Sequence, residues 1–165
     1  MFAADTYTGS WKKSLKDGKG TECFPNGDSY TGHYANDKFD GEGTLKTAAG
    51  IYSGSFKNGL KEGFGKMTWY RKDVYEGDWK AGFMQGTGRY VSSDGRMYEG
   101  KWLHGQKSGK GAMIFPNGEK YDGDWRDNKF HGTGVYRWAN GRWRRGEYKR
   151  GELVRWLTGE KIGGL

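Results

Sequence analysis

Residues 75–95 read YEGDWKAGFMQGTGRYVSSDG, and this stretch contains the pattern that decides the fold. Tyr75, Gly77 and Trp79 occupy every second position, and a Gly-x-Gly element follows them. The same order returns every 22 or 23 residues along the chain. A fixed period of this length is typical of a repeat protein, in which one supersecondary unit recurs. The copies begin at leading tyrosines Tyr7, Tyr30, Tyr52, Tyr75, Tyr98 and Tyr121, with a degenerate seventh copy at Arg144.

Each repeat contains two stretches in which apolar or glycine residues alternate with polar ones, which predicts two antiparallel β-strands. Dipeptides such as Asn26-Gly27 and Asn117-Gly118 lie between repeats and favour tight turns there. Lys72-Asp73 takes this place in the third repeat, which predicts a different turn. Inside a repeat, stretches such as 57–62 and 80–85 are polar or contain glycine, which predicts a longer surface loop.

The predicted fold is therefore all-β, an elongated single-layer twisted antiparallel meander of about thirteen strands. Glycines inside strands weaken them, so we expect an aromatic ring from a neighbouring strand to cover each bare backbone. Past the repeats, Leu153, Trp156 and Leu157 have the spacing of one helix face, which predicts a short capping helix. The predicted divisions are a lead-in at 1–6, tandem repeats at 7–151 and a cap or tail at 152–165.

The composition is that of a repeat sheet rather than of a thick two-layer domain. The chain has 31 glycines, 33% hydrophobic residues and a mean hydropathy of −1.02, which is too polar for a large core. Its 8 Trp, 11 Tyr and 8 Phe favour an ordered fold over disorder. Cys23 has no second cysteine for a disulfide, and no signal-like or membrane-spanning apolar stretch is present in the sequence. We therefore expect a soluble chain in a reducing compartment.

These residues resemble the MORN repeat, the membrane occupation and recognition nexus, with its Y-x-G-x-W-x-x-G-x-x-x-G-x-G pattern. The resemblance covers nearly all of the chain and is complete in the fourth and fifth copies. Ser14, Asp37 and Asn128 replace the loop glycine in the first, second and sixth copies. The resemblance implies a non-catalytic scaffold in the cytoplasm, associated with the cytoskeleton and with cilia or flagella. Its expected partners are cytoskeletal, motor or axonemal proteins.

No set of residues in the sequence indicates catalysis. His33, His104 and His131 lack the spacing of metal ligands. Residues 105–111 resemble a phosphate-binding loop, but they have three residues between glycines and Gly111 in place of Ser or Thr. We therefore predict no catalytic, metal or cofactor site. One alternative stays open, in which the chain is the repeat portion of a larger enzyme. MORN arrays also adjoin lipid kinase and protein methyltransferase domains.

The ring-bearing face of the sheet predicts a groove for a protein partner. A single-layer sheet is expected to leave its apolar stripe exposed, and such stripes usually mark partner sites. An extended or helical peptide fits such a groove, and similar MORN ribbons bind peptides or a second copy of themselves. The alternative is that the rings pack only on one another. The predicted groove residues are Tyr30, Tyr52, Phe56, Tyr75, Trp79, Tyr98, Trp102, Tyr121 and Trp125.

A second predicted surface is basic and lies near the end of the sequence. Each basic residue contributes about 1 kcal/mol near acidic lipid, so phosphoinositide or anionic-membrane binding is an alternative function. An acidic protein is an equal candidate for the partner of these basic residues. The third interpretation is that the basic end is solvated and binds no partner. Nucleic acid is not expected. An unprotected first strand also makes a homodimer plausible. The basic residues are Arg142, Arg144, Arg145, Lys149, Arg150 and Arg155.

Overall fold

Every regular element is a β-strand in the computed structural model, which describes residues 5–157 and 161–162. No helix long and apolar enough to cross a membrane is found in this described part of the chain. The chain divides into two compact units, one ending at Phe83 and one beginning at Met84. The all-β prediction is confirmed, whereas the predicted lead-in at 1–6 and tail at 152–165 lie partly outside the described residues.

The first unit is a single-layer antiparallel sheet whose strands follow chain order. Alternating glycines and aromatic residues build each strand, and each strand pairs with the next one. The strands are β1 (Thr6–Lys12), β2 (Leu15–Cys23), β3 (Ser29–Ala35), β4 (Lys38–Thr47), β5 (Gly50–Lys57), β6 (Leu60–Trp69) and β7 (Val74–Lys80). This arrangement is the predicted meander of hairpins.

The second unit repeats the same architecture. Its strands also pair antiparallel in chain order, and the last short strand pairs with β13 beside β14. The strands are β8 (Phe83–Val91), β9 (Met97–Leu103), β10 (Gln106–Ile114), β11 (Lys120–Arg126), β12 (Lys129–Arg137), β13 (Arg142–Lys149), β14 (Glu152–Trp156) and β15 (Lys161–Ile162). The degenerate seventh copy therefore still forms a hairpin, from β13 and β14.

The turn inside each repeat is shorter than the sequence predicted. Asn58 and Gly59 have φ values of 49° and 85°, so these two left-handed residues alone connect β5 to β6 as a hairpin turn. The longer connection lies between repeats, where the Phe24 N–H donates to the Asp28 carbonyl (2.9 Å) and the Gly27 N–H donates to the Phe24 carbonyl (3.0 Å). The positions of the tight turn and of the longer turn are therefore reversed relative to the prediction.

The prediction that the Lys72-Asp73 turn differs from the others is wrong. The Trp69 N–H donates to the Asp73 carbonyl (2.9 Å) and the Lys72 N–H donates to the Trp69 carbonyl (2.8 Å), as in the turn after β2. Lys72 takes the glycine position with a φ of 73°, because the backbone hydrogen bonds fix the turn. The turn that differs is the second, where only Ala48 and Ala49 connect β4 to β5.

The predicted capping helix is also wrong, because Leu153 and Trp156 lie in strand β14. Leu153 pairs with Tyr148 and Trp156 pairs with Gly146, with a register shift between these two pairs. Val154 is the extra residue of a β-bulge, which lets side chains three positions apart share one sheet face. That spacing imitates the periodicity of a helix in the sequence.

Candidate protein-binding face

Within each unit, a leading tyrosine lies over the second glycine of its own Gly-x-Gly element, as Tyr7, Tyr30, Tyr52, Tyr98 and Tyr121 do. A Cβ added to Gly111 would lie 2.6 Å from Cε2 of Tyr98, so only glycine leaves room for the ring. This confirms the prediction that rings of a neighbouring strand cover the glycines. The hydroxyl of each leading tyrosine donates to the carbonyl of the residue three positions later. The acceptors are Ser10, His33, Ser55, Asp78, Lys101 and Asp124, at 2.9–3.0 Å.

A β-bulge explains why that carbonyl is open to the tyrosine hydroxyl. Gly100 pairs with Gly111, but Trp102 pairs with Lys107, so residues 108–110 of β10 lie opposite Lys101 alone. The ladder is interrupted at this point, and the Lys101 carbonyl accepts from Tyr98 instead (2.9 Å). The sequence shows the glycines but does not show this change of register.

In the fourth, fifth and sixth repeats, the tryptophan that follows the leading tyrosine is held by a second recurring hydrogen bond. The indole Nε1 of the tryptophan donates to the carbonyl of the second glycine in the preceding repeat. The pairs are Trp79 with Gly65 (3.1 Å), Trp102 with Gly88 (3.0 Å) and Trp125 with Gly111 (2.9 Å). The second glycine therefore supplies both space for one ring and an acceptor for another.

The aromatic rings of the predicted groove pack against one another and are buried. Tyr98 meets Trp102 and Trp125 edge to face, with ring centroids 5.2 and 5.0 Å apart. All nine predicted groove residues are only 0–6% exposed. The prediction of an exposed apolar stripe is therefore wrong, because neighbouring side chains close over the rings. Direct binding of a partner to these rings stays a prediction.

The side chain that closes over the rings is the ninth residue after the leading tyrosine. Phe39 stacks on Tyr30 with centroids 3.7 Å apart, and the Lys61 ammonium lies 4.8 Å from the ring centroids of both Tyr52 and Trp79. Lysine stems cover apolar surface while the charged end supplies a cation–π contact. We call these side chains the cover residues. In the described contacts they are Lys16, Phe39, Lys61, Lys107 and Phe130.

All five of these cover residues are half-buried. We call the sheet face that bears the leading tyrosines and the cover residues the ring face. The sequence contained a signal for the cover residues, because the ninth position after the leading residue of each copy holds only lysine or a large apolar residue in all seven copies. Sequence reasoning missed it by assigning residues 57–62 to a loop, which placed Lys61 outside the strand.

Burial changes the charge properties of the ring face. Burial lowers the pKa of Lys61 and of Lys107, and the charge of Arg96 lowers the pKa of Lys107 further. In the first repeat, the Lys16 ammonium instead contacts the carboxylate of Glu22, which is 4% exposed and also accepts from the Tyr34 hydroxyl (2.9 Å). Burial and this hydrogen bond raise the pKa of Tyr34.

The buried tyrosines predict unfolding at alkaline pH. Burial raises the pKa of Tyr30 from 10.0 to about 12, so the folded state retains a proton that the unfolded state loses. The stabilisation is complete below pH 10 and is lost as the pH rises from 10 to 12, by about 1.4 kcal/mol per pH unit for each such tyrosine. Urea unfolding at pH 8 to 12, followed by circular dichroism, should show this fall in the free energy of unfolding.

Phenolate absorbance provides the control for the alkaline experiment. We expect the buried tyrosines to ionise together with the loss of strand signal. Ionisation of Tyr30 and its equivalents in a protein that keeps its full strand signal would contradict the explanation.

The structure does not gather the predicted basic residues into one patch. Strand alternation places Arg144 on the ring face, where its guanidinium lies 5.5 Å from the Trp156 ring, and places Arg145 and Lys149 on the opposite face. Arg155 forms an ion pair with Glu147 (Nε–Oε2, 2.8 Å). Arg142 begins β13 and Arg150 lies in the turn after it.

The fold and the ring face define a protein built from tandem β-hairpin repeats, each with one tyrosine, one Gly-x-Gly element and one cover residue. The MORN repeat family matches residues 7–29, 30–50, 52–74, 75–95, 98–120 and 121–141. The chain therefore belongs to the MORN-repeat family. The degenerate copy at Arg144 follows the last matched segment.

Several solved structures resemble the chain, and one of them is described here. It is the TCP domain of SAS-4 (dCPAP) of Drosophila melanogaster, in complex with a proline-rich motif of Ana2 (dSTIL). The sequence identity is 16%, the match covers 94% of this chain and 90% of that chain, and the TM-score is 0.47. No curated protein sequence matches the chain.

Proposed function

We propose that this protein is a non-catalytic scaffold that binds protein partners on the ring face. The observation that carries the proposal is that the rings are buried beneath half-buried cover residues, which are the side chains that this face presents outward. The rings beneath fix the position of each cover residue, so a partner meets a row of preorganised side chains. Preorganised groups bind with a smaller entropic cost.

The chemistry of the ring face supports a binding role over a catalytic one. The hydroxyl of Tyr98 donates to a backbone carbonyl, as the other leading tyrosines do. Glu22, a buried acid of the first unit, contacts Lys16 and Tyr34. These groups are engaged in holding the sheet together, which supports a structural role for them.

The proposed setting is cytoplasmic and cytoskeletal, in a cilium or flagellum. Family resemblance supports this setting. A second copy of the chain is an additional proposed partner, because β1 is the edge strand of the first unit and its Trp11 is 57% exposed. Unprotected edge strands favour pairing with another chain.

Charge reversal on the ring face tests the proposal directly. Lys61→Glu with Lys107→Glu should reduce capture of partners from a ciliated-cell extract by about tenfold, because it changes two cover residues. The matched control is Lys66→Glu with Lys110→Glu, which makes the same change of net charge on the opposite face. Quantitative mass spectrometry of the captured proteins gives the result, after circular dichroism has shown that both variants are folded.

Equal capture by wild type and both variants, or equal loss in both, would contradict binding on the ring face. Trp79 and Trp102 are poor choices for this test, because their indoles donate to backbone carbonyls in the core. Vesicles containing phosphoinositide test the competing lipid function. If they bind the wild type, and Arg144→Glu with Arg145→Glu removes that binding, the function moves to the membrane.

A further inference from the structure

A cavity of 330 Å³ lies between two neighbouring hairpin turns of the second unit. One turn joins β11 to β12 at Asp127 and Asn128, and the other joins β13 to β14 at Arg150 and Gly151. The Gly151 N–H donates to the Phe130 carbonyl (2.9 Å), so the two hairpins are held side by side. The cavity is therefore formed by the packed sheet and not by free loops.

The walls of this cavity are basic. Strand alternation places Arg126, Lys129 and His131 on the face opposite the ring face, where Arg126 pairs with Lys129 across the hairpin. Arg150 completes the basic lining, and Asp127 supplies the one carboxylate in it. Within the described part of the second unit, neither the two arginines nor the lysine forms an ion pair. Like charges held close together repel one another, and an anion placed between them removes that repulsion.

Neighbouring acids of this face have other partners. Asp124 contacts the Lys110 ammonium (2.6 Å) and accepts the backbone N–H of Thr133 (3.0 Å). Glu147 forms its ion pair with Arg155 (2.8 Å). The positive charge of the cavity is therefore not balanced by these carboxylates.

The residue at the position of His131 distinguishes the sixth repeat from three earlier ones. In the second, third and fourth repeats, the equivalent side chain is an acid or an amide whose oxygen accepts the backbone N–H of the next hairpin turn. The pairs are Asp40 with Asn58 (3.2 Å), Glu62 with Ala81 (2.9 Å) and Gln85 with His104 (3.0 Å). His131 instead has a buried Nδ1 that lacks a hydrogen-bond partner within the described structure. The exchange removes a carboxylate that would repel an anion.

We propose that this cavity binds one phosphate group, carried by a phosphoserine or phosphothreonine of a partner protein. Arginine presents a planar fork of donors that binds two phosphate oxygens at once, and Arg126 and Arg150 reach the cavity from two different hairpins. Lys129 adds a third positive charge. The inference rests on the scaffold role of the proposed function and adds a second site on the face opposite the rings.

The remainder of this face disfavours an anionic membrane as the ligand. Glu99, Asp122 and Asp127 are exposed on it or at its edge, so an extended anionic surface would meet carboxylates as well as the basic cavity. A single phosphate group on a peptide chain needs to contact the cavity alone. A phosphorylated protein segment therefore fits this arrangement better than a lipid surface.

Phosphopeptide binding tests the inference on the full chain. The probe is fluorescein-labelled Gly-Ala-Gly-phosphoserine-Gly-Ala-Gly, measured by fluorescence anisotropy at neutral pH, and the comparison peptide carries serine. We expect the serine version to bind at least about tenfold more weakly. In NMR spectra of the protein, the phosphopeptide and inorganic phosphate should both shift the backbone amide signals of His131 and Arg150.

Matched substitutions locate the bound phosphate. Arg126→Met and Lys129→Met each remove one charge from an exposed side chain, and each should raise Kd about fivefold. Lys120→Met is the control, because Lys120 lies on the same face at the other end of β11, about 20 Å from Arg126, and pairs with Asp122 (3.3 Å). The control should change Kd less than about twofold.

Exchanges at His131 test the role of the missing carboxylate. His131→Asp restores the acid found in the second repeat and should raise Kd more than about tenfold through charge repulsion. His131→Gln introduces the residue of the fourth repeat, which carries no charge, and should change Kd less than about threefold. Circular dichroism establishes beforehand that both variants are folded.

Several results would overturn the inference. They are equal binding of the two peptides, equal effects at Lys120 and Lys129, and binding of inorganic phosphate without binding of the phosphopeptide. Phosphatidylcholine vesicles that contain phosphatidylinositol bisphosphate provide a further test. If they bind in a manner that Lys129→Met removes, while the phosphopeptide does not bind, the site belongs to a membrane ligand and the proposed partner is wrong.

These failures are distinct from a failure of the proposed function. If Lys61→Glu with Lys107→Glu still loses captured proteins while the phosphopeptide fails to bind, the ring-face scaffold stands and the phosphate site is wrong. If the phosphopeptide binds as expected while that variant captures as much protein as the wild type, the phosphate site stands and binding on the ring face is wrong.

Discussion

Replacing Gly65 with alanine is expected to lower the free energy of unfolding by about 3 kcal/mol or more. The added Cβ would lie 2.5 Å from Cζ and 2.6 Å from Cε2 of Tyr52. That ring cannot move aside, because Phe56 and Trp79 pack against it with centroids 5.0 and 5.2 Å away. Urea unfolding followed by tryptophan fluorescence measures the loss.

Gly59→Ala is the matched control for this substitution. Gly59 lies in the turn at the start of the same strand, with a φ of 85° and no atom within 4 Å of an added Cβ. Its cost is therefore conformational only, about 1–2 kcal/mol for a left-handed alanine. Equal losses at Gly59 and Gly65 would show that backbone freedom, rather than room for the tyrosine ring, explains the strand glycines.

Replacing Tyr98 with alanine is expected to lower the free energy of unfolding by about 3–5 kcal/mol, as for other large aromatic side chains in cores. Tyr98 is 0% exposed and contacts Trp102, Trp125 and the ammonium of Lys107. Its removal leaves a cavity and exposes Gly111 to the cover residue. The urea midpoint and the thermal midpoint should both fall.

Tyr98→Phe separates the hydroxyl from the ring. It removes only the hydrogen bond to the Lys101 carbonyl (2.9 Å), which contributes about 0.5–1.5 kcal/mol. If Tyr98→Phe lowered the free energy of unfolding as much as Tyr98→Ala, the hydroxyl at the bulge, and not ring packing, would account for most of the contribution of Tyr98 to stability. Wild-type stability of the alanine variant would contradict the core role altogether.

Local patterns in the sequence determine most of the fold. Alternation around Tyr75, Gly77 and Trp79 predicted the strands, and the period predicted their order, because each hairpin pairs with its neighbour. The packing of rings over glycines was also predictable, since glycine inside a strand requires a neighbour that uses the space. Six copies of one pattern made these predictions stronger than a single hairpin would allow.

The features of the ring face that were not predicted depend on register. Strand β10 continues past the bulge at residues 108–110, so Lys107 pairs with Trp102 and lies on the ring face, whereas the sequence pattern predicts a loop in this part of the repeat. The two-residue turn at Asn58 and Gly59 moves Lys61 into a strand for the same reason. Bulges and paired registers arise from contacts between strands, which a single strand sequence does not display.

The cover residue gives this architecture a route for evolutionary divergence. The ninth position changes among Lys, Phe, Met and Leu from copy to copy, whereas the glycines beneath recur in the first six copies. A point mutation at Lys61 or Phe39 therefore alters the chemistry of the ring face while the tyrosine, the bulge and the turns keep their geometry. Duplication of a hairpin adds another such position, so new surface chemistries can accumulate through stable intermediates.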